Sequence, residues 1–278
     1  QDSLNMAPGK KLLNLERVLG LTTLNGASMK SSPNGDIYYT AGCVAIRYSP
    51  SLNKQVKLYT AIKSVSCLTV SKCGRYLALG ERGHQPCICI YDTESGDLLT
   101  RLEGHKHGIG CLEFSPDAKY IVSCGFKHDK QLHFWEWKNQ NQTPNQRQFD
   151  LNTPEKPSLT TPLYTGRLMN KVYSIDYHES GNYFVTGGDH HLKFWTVQYD
   201  KRNGNDDDNE QLVFRGISSK SATIQPEYSL EFQDSVFTHV VCGKGRLSHT
   251  VYTCTSAGYI ISFHDVNKTL DTYIKLES

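Results

Sequence analysis

The sequence predicts an all-β fold, a propeller of four-stranded antiparallel blades with about five blades in this chain. Short apolar runs separated by tight polar turns fill most of the chain, as is typical of antiparallel sheets. This unit of apolar runs and polar turns recurs along the chain, because Tyr76, Tyr120 and Tyr183 begin equivalent second strands, 44 and then 63 residues apart. Aromatic and β-branched residues, which favour strands, are frequent, and 278 residues are enough for a repeat array.

The first two blades follow a polar tail at residues 1–17, and the propeller is expected to occupy residues 18–278. Blade one has a weak first strand, the hairpin signal Pro33-Asn34-Gly35, and further strands over 36–41, 43–48 and 55–59. Blade two has predicted strands over 65–70, 76–80, 87–91 and 98–102.

The third blade is the clearest, and it begins at Gly104-His105. Apolar runs over 109–114, 120–125 and 132–137 follow, and Ser115-Pro116-Asp117 joins the first two because Pro presets φ while Asp bonds nearby backbone. Its outer strand is expected at 163–166, after a polar insertion at 139–161.

Blades four and five repeat this plan. Blade four has predicted strands over 172–177, 183–187 and 192–197, and blade five over 237–242, 249–254, 259–263 and 270–276. A second insertion, 199–211, carries a run of acids at 206–210. Both insertions are predicted to be solvated loops, since the first is too polar to pack and the acids lack the spacing of a calcium loop.

Gly104-His105 and Trp135-Glu136 resemble the signature of the WD-repeat family, whose motif usually ends in Trp-Asp. The resemblance implies a hydrogen-bonded structural tetrad of His105, Ser123, Asp129 and Trp135. In blade four, Thr186, Asp189 and Trp195 fit the same tetrad, while Arg167 or a neighbour stands where histidine is expected. Such a network predicts a structural role for these residues rather than a catalytic one.

No reactive constellation accompanies these repeats. The chain lacks a phosphate loop, G-x-S-x-G, H-E-x-x-H and a dinucleotide glycine fingerprint, so we expect no enzyme activity, catalytic residue or cofactor. His190-His191 is the best metal candidate, but adjacent residues on a strand point to opposite faces, so no metal site is predicted. The nine cysteines show no C-x-x-C pair, and with no apolar span the chain is expected to be cytoplasmic, with reduced thiols.

Charge placement is more informative than the net charge of +2. In a propeller of this kind, the connections between blades and those between second and third strands share one face, the top face. Basic residues gather in these connections, and we predict that the following bind a partner: Arg82, His84, Lys106, His107, Lys127, His128, Lys130, Lys171, His190 and His191. The alternatives are an ordinary solvated rim, or a module for nucleic acid or other polyanions, which the scarcity of aromatics among these residues disfavours.

The stretches AGCVAIRYSP, ERGHQPCICIYD and VVCGKGRLSHTVYTCTSAGYI make the resemblance narrower. They are similar to the amino-terminal propeller of the mitogen-activated protein kinase-binding WD-repeat scaffolds, a family that includes a microcephaly-associated spindle-pole scaffold. The resemblance implies a non-catalytic protein-protein interaction scaffold in kinase signalling or in centrosome and spindle organisation. Its partners would be kinase-pathway or cytoskeletal proteins. From the basic top face we expect these partners to present acidic or phosphorylated segments, and from the lack of an apolar span we expect no membrane as a partner.

The blade count has a structural consequence. Closed rings of this family usually have about seven blades, so about five imply an incomplete, open part of a propeller. Open ends expose apolar blade faces and strand edges, which favours self-association.

Overall fold

The computed structural model describes residues 16–23, 26–138, 161–202, 211–225, 232 and 236–276. Their strands form five sheets of four antiparallel strands each, with strand order following the chain, so the predicted all-β fold of about five blades is confirmed. The predicted acidic run at 206–210 and nearly all of the insertion at 139–161 lie outside the described residues.

Each blade is one sheet. Blade one contains β1 (Met29–Ser31), β2 (Ile37–Ala41), β3 (Val44–Ser49) and β4 (Lys54–Thr60). Blade two contains β5 (Val65–Val70), β6 (Tyr76–Glu81), β7 (Cys87–Asp92) and β8 (Leu98–Glu103). Blade three contains β9 (Ile109–Phe114), β10 (Tyr120–Gly125), β11 (Gln131–Glu136) and β12 (Tyr164–Arg167). Blade four contains β13 (Val172–Tyr177), β14 (Tyr183–Gly188), β15 (His191–Arg202) and β16 (Gln211–Ser221). Blade five contains β17 (Phe237–Cys242), β18 (Thr250–Thr255), β19 (Tyr259–His264) and β20 (Leu270–Lys275).

Among the described residues the core consists of four apolar layers, one between each pair of consecutive blades. Strand alternation produces them, because successive side chains of a strand point to opposite faces of the sheet and each blade therefore offers one apolar face to each neighbour. Trp135 is fully buried in the layer between blades two and three. Phe184 and Trp195 stack in the next layer, with ring centroids 5.9 Å apart.

The second insertion differs from its prediction. Its described residues are strand rather than loop, since β15 continues to Arg202 and pairs with β16 down to Arg202 opposite Gln211. The lengthened hairpin leans back on blade three, where Phe214 stacks on Phe134 with ring centroids 5.1 Å apart. The outer strand of blade three, β12, has only four residues. The hairpin therefore packs beside a blade whose outer strand is short.

Residues 16–23, which we call the strap, contain no strand and cross blade one. The strap begins at the outer strand, where Val18 exchanges two hydrogen bonds with Gln55, and reaches β2, where the N–H of Thr22 donates to the carbonyl of Thr40 at 2.7 Å. The Gln55 side chain also donates to the Tyr39 hydroxyl at 2.9 Å. Tyr38 packs against blade two, so the neighbouring Tyr39 lies on the opposite face, the face that the strap crosses.

Charged and polar side chains on the innermost strands link the blades to one another. Lys30 of blade one forms an ion pair with Glu113 of blade three, with Nζ and Oε2 3.0 Å apart. Thr69 of blade two donates to Glu113 at 2.7 Å, and Asp176 of blade four accepts the backbone N–H of Cys242 in blade five at 2.6 Å. Burial, followed by the nearby charge of Glu113, raises the pKa of Asp176 to about 6.

Candidate docking face

The connections that carry the predicted partner-binding residues lie at one end of the blades. Backbone hydrogen bonds join them in pairs: Arg82 N–H to the Ser64 carbonyl, Phe126 to Gly108, Leu168 to Lys130 and Asp189 to Lys171, all between 2.7 and 3.0 Å. We define the top face as the loops 61–64, 82–86, 104–108, 126–130, 168–171 and 189–190. These paired loops form a fixed platform rather than independent segments.

In blade three the structure brings together the four residues of the predicted tetrad. His105 Nδ1 bonds the Asp129 carboxylate, His105 Nε2 lies 2.8 Å from Ser123 Oγ, and the Trp135 indole N–H donates to that same oxygen at 2.9 Å. All four side chains are buried. Burial alone would raise the pKa of Asp129, but the hydrogen bond and charge of His105 and the N–H of Lys106 outweigh it, so this pKa is lowered.

Blade four builds its network from a different histidine. His191 was predicted to bind a partner, and this is wrong, because its ring is buried and its Nε2 lies 2.7 Å from Thr186 Oγ1. Trp195 donates to the same Thr186 oxygen at 2.8 Å, as Trp135 does to Ser123. Burial, assisted by the charge of Lys193, lowers the pKa of His191 to about 4, so its ring is neutral at neutral pH.

Two details of the predicted blade-four tetrad need correction. Among the described residues no hydrogen bond joins the Asp189 carboxylate to Thr186, His191 or Trp195; its N–H instead donates to Lys171 in the neighbouring loop. Arg167 is exposed on β12, and the buried residue after it is Leu168. The imidazole therefore comes from the start of β15, not from the loop before β13.

Blade two uses a carboxylate that the sequence analysis missed. Glu81 is fully buried, and its Oε1 accepts the backbone N–H groups of Ile62 and Lys63 at 3.2 Å each, while Oε2 accepts that of Cys87 at 3.0 Å. Arg101 lies 3.7 Å from Oε1. Asp129 accepts the N–H of Lys106 in the same way, so both carboxylates fix a loop of the top face. The sequence signal that could have identified Glu81 is its place as an acid directly after the predicted apolar strand 76–80.

The remaining cationic residues stay on the top face. Eight of them are exposed: Arg82, His84, Lys106, His107, Lys127, His128, Lys130 and His190. Lys171 is half-buried, with its Nζ 4.5 Å from the centre of the Tyr173 ring. The top-face loops contain only two carboxylates, of which Asp129 is buried and Asp189 half-buried, while Glu103 is exposed on the adjoining strand end. The solvent-facing charge of these loops is therefore positive.

Two half-buried aromatic rings lie among these cations, although the sequence suggested few. Phe126 covers Gly108, where an added Cβ would come within 2.6 Å of its ring. Burial and the charge of Asp189 raise the pKa of Tyr173, and Lys127 partly opposes this, so Lys127 and Lys171 both lie near that ring. Lysines beside a partly exposed phenol provide charge together with an apolar surface.

Other kinds of site find no support in the described part of the chain. It contains no group of three or more His, Cys, Asp or Glu residues suited to hold a metal ion. None of its described helices has the length and apolar character needed to cross a membrane. All nine cysteines are free thiols, and Cys43, Cys73 and Cys254 are the exposed ones.

Comparison with known proteins agrees with this architecture. The family model "WD domain, G-beta repeat" matches residues 96–136 and 160–196. The chain is 30% identical to WD repeat-containing protein 62 of Mus musculus over 266 residues, which is 95% of this chain and 15% of that protein. It is equally similar to mitogen-activated protein kinase-binding protein 1 of Mus musculus, of which it covers 16%. Cilia- and flagella-associated protein 52 of Sus scrofa is 32% identical over 44% of the chain.

A solved structure, that of U3-55K, has the same fold. It superposes with a TM-score of 0.63 at 15% identity over 93% of this chain and 66% of that one. Each match of the family model contains the outer strand of one blade and the first three strands of the next, or part of them, so the two matches include the Trp135 network of blade three and the Trp195 network of blade four. These matches, the five four-stranded sheets and the relatives along almost the whole chain show that the protein belongs to the WD-repeat family.

Proposed function

We propose that this chain is a non-catalytic protein-interaction scaffold whose top face binds an acidic or phosphorylated segment of a partner protein. The observation that carries the proposal is the charge of the top-face loops, where the cations face solvent while Asp129 is buried. Phosphate and carboxylate groups are the natural ligands of converging Lys, Arg and His side chains.

The rigidity of the top face supports the same proposal. Buried carboxylates hold the loops that present the cations, since Asp129 fixes the loop of Lys106 and Glu81 fixes the loop of Lys63. Loops held in place before binding lose less conformational entropy when a partner docks. Lys127, Lys171 and Tyr173 mark the region where an acidic segment with an apolar side chain would gain both kinds of contact.

The relatives suggest which processes such a scaffold serves. One is named for binding a mitogen-activated protein kinase and another for association with cilia and flagella. We propose kinase-pathway or cytoskeletal partners in the cytoplasm, including centrosome or spindle components. The chain spans about 15% of the length of WD repeat-containing protein 62, so activities of the whole relatives are carried over as proposals only.

A peptide titration tests the binding proposal. A fluorescein-labelled peptide of alternating glutamate and phosphoserine is titrated with the chain, and the anisotropy is measured at several salt concentrations. We expect binding that weakens as salt rises, because the contacts are between exposed charges. Charge reversal by Lys127→Glu with Lys130→Glu should weaken binding at least about tenfold.

The control is Lys72→Glu with Lys244→Glu, which reverses two exposed lysines at the opposite end of the blades and should leave the affinity unchanged. Equal affinity of the wild-type chain and the Lys127/Lys130 variant would refute the proposed face. Single-stranded DNA of the same charge serves as competitor. If it displaces the peptide and binds more tightly, the polyanion alternative is the correct one.

A further inference from the structure

The first residue after the second strand holds the same place in blades two, three and four, but its chemistry differs. In each blade the N–H of this residue donates to a carbonyl of the loop that precedes the first strand of the same blade, and the three residues are Arg82, Phe126 and Asp189. The top face therefore places a cation, an aromatic ring and a carboxylate at equivalent positions beside its innermost strands.

The aromatic ring of Phe126 lies over the start of β9, where two glycines leave room for it. A Cβ at Gly108 would come within 2.6 Å of this ring, and a Cβ at Gly110 within 3.3 Å. Gly108 also has a φ of 121°, a conformation that favours glycine. Phe126 is half-buried, so backbone holds its ring in place while part of the ring faces solvent.

Blade four places a second aromatic ring at the same level by a different route. Tyr173 is the second residue of β13, as Gly110 is of β9, and it is half-buried. Burial is the main cause that raises the pKa of Tyr173, and the charge of Lys127, the residue after Phe126, opposes it. Lys127 thus lies near the phenol. Because β9 and β13 are the innermost strands of adjacent blades, the two rings border one stretch of the top face.

The charges beside the two rings decide which kind of side chain fits them. Lys171 Nζ lies 4.5 Å from the centre of the Tyr173 ring, and the exposed Lys127 follows Phe126. These lysines repel a cationic side chain of a partner, and they draw a carboxylate or phosphate to themselves rather than to the rings. An uncharged apolar side chain gains most from the half-buried ring surface.

We propose that Phe126 and Tyr173 bind one large apolar side chain, such as leucine, of the acidic or phosphorylated segment that the cations of the top face bind. This contact rests on the proposed function and names the class of segment, in which acidic groups flank an apolar residue. The flanking acids pair with Lys127 and Lys171 while the apolar residue lies on the rings. Phe126 and Tyr173 are then specificity-determining residues, because they separate such segments from purely acidic ones.

Two fluorescein-labelled peptides that differ in one residue test this contact. Both alternate glutamate and phosphoserine, and the central residue is leucine in one and glycine in the other, so their charges are equal. We expect the wild-type chain to bind the leucine peptide at least about fivefold more tightly, because burial of apolar surface adds to charge pairing. This preference should persist as salt rises, although both affinities fall, since salt screens only the charges. Phe126→Ala combined with Tyr173→Ala should reduce the preference to less than about twofold.

The control variant is Tyr48→Ala, at a half-buried tyrosine at the opposite end of blade one, which should keep the full preference. Circular dichroism checks that each variant is folded, and the comparison of the two peptides on the wild-type chain needs no variant. Equal affinity of the wild type for both peptides, or a preference that survives in the double variant, would overturn the aromatic contact and leave the proposed function standing. If neither peptide bound the wild type, the proposed function and the aromatic contact would fall together.

Discussion

A histidine bonded to a hydroxyl beside a tryptophan occurs in two blades, but the histidine comes from different places in the chain. In blade three it is His105, from the loop before the first strand, and in blade four it is His191, from the start of the third strand. The tryptophan and hydroxyl keep their places, at Trp135 with Ser123 and Trp195 with Thr186. What is preserved is a buried hydroxyl with two partners, since an unpaired one would be costly.

His105→Ala should destabilise the chain by about 1–3 kcal/mol, because the buried Asp129 carboxylate and the Ser123 hydroxyl each lose a partner. Urea denaturation followed by tryptophan fluorescence measures the loss. His107→Ala, at an exposed position in the same loop, is the control and should change little. An unmoved midpoint for His105→Ala would show that this network contributes nothing to stability.

At the scale of strands, the sequence predicted the inner blades well and the outer connections poorly. Residues 65–70, 109–114, 120–125 and 172–177 were predicted with the bounds that the structure shows, because apolar runs between tight turns have few alternatives. Strand β16 was missed, since its polar residues follow a run of acids and glycine interrupts it. Its stability comes from pairing with β15 and packing on blade three, which local sequence does not reveal.

The candidate docking face likewise divides into residues whose roles the sequence predicted and residues whose roles only the fold reveals. Blade three was predictable because all four residue types stand at the expected spacing, whereas His191 was misplaced because a buried and an exposed histidine adjacent in sequence look alike. Glu81 was missed because a strand-end acid is ordinarily solvated, and only the convergence of three backbone N–H groups shows its role. Burial, and contacts with residues distant in the sequence, therefore determine side-chain roles that the spacing of residue types alone does not reveal.

The β15–β16 hairpin makes a prediction of its own. Phe214→Ala should destabilise the chain by about 1–3 kcal/mol, because Phe214 stacks on the buried Phe134 of the neighbouring blade. Thermal unfolding measures the effect, and hydrogen exchange should show faster opening of β11 than in the wild type. The control is Arg215→Ala, which removes an exposed ion pair with Asp200 that is worth little. Equal stability of the two variants would mean that the hairpin does not support blade three.

At the scale of the whole molecule, the inner strands bring charges of several blades together. Lys30 of blade one reaches Glu113 of blade three, and Asp176 of blade four bonds blade five. Two carboxylates, Glu113 and Asp176, thus share the charge of one lysine in a half-buried place. Such an arrangement holds blades in register, but it costs free energy where the second carboxylate must ionise.

The pH dependence of stability follows from Asp176. Its pKa is raised from 3.8 to about 6, first by burial and then by Glu113, so the folded chain binds this proton more tightly than the unfolded chain does. The resulting destabilisation is full above about pH 6 and disappears as the pH falls below the unfolded value near 3.8. Asp129 has the opposite sign, because its pKa is lowered and its contribution is lost in acid.

Asp176→Asn should therefore stabilise the chain at neutral pH, by up to about 3 kcal/mol for a shift of about two pKa units. The amide oxygen can still accept the N–H of Cys242, and Lys30 keeps Glu113 as its partner. Urea denaturation of both proteins at a series of pH values should show the gain shrinking steadily between about pH 6 and pH 4. Asp271→Asn, at an exposed carboxylate of β20, controls for the loss of a negative charge. A variant less stable than the wild type at neutral pH would show that the attraction of Lys30 for Asp176 exceeds the cost of burying its charge.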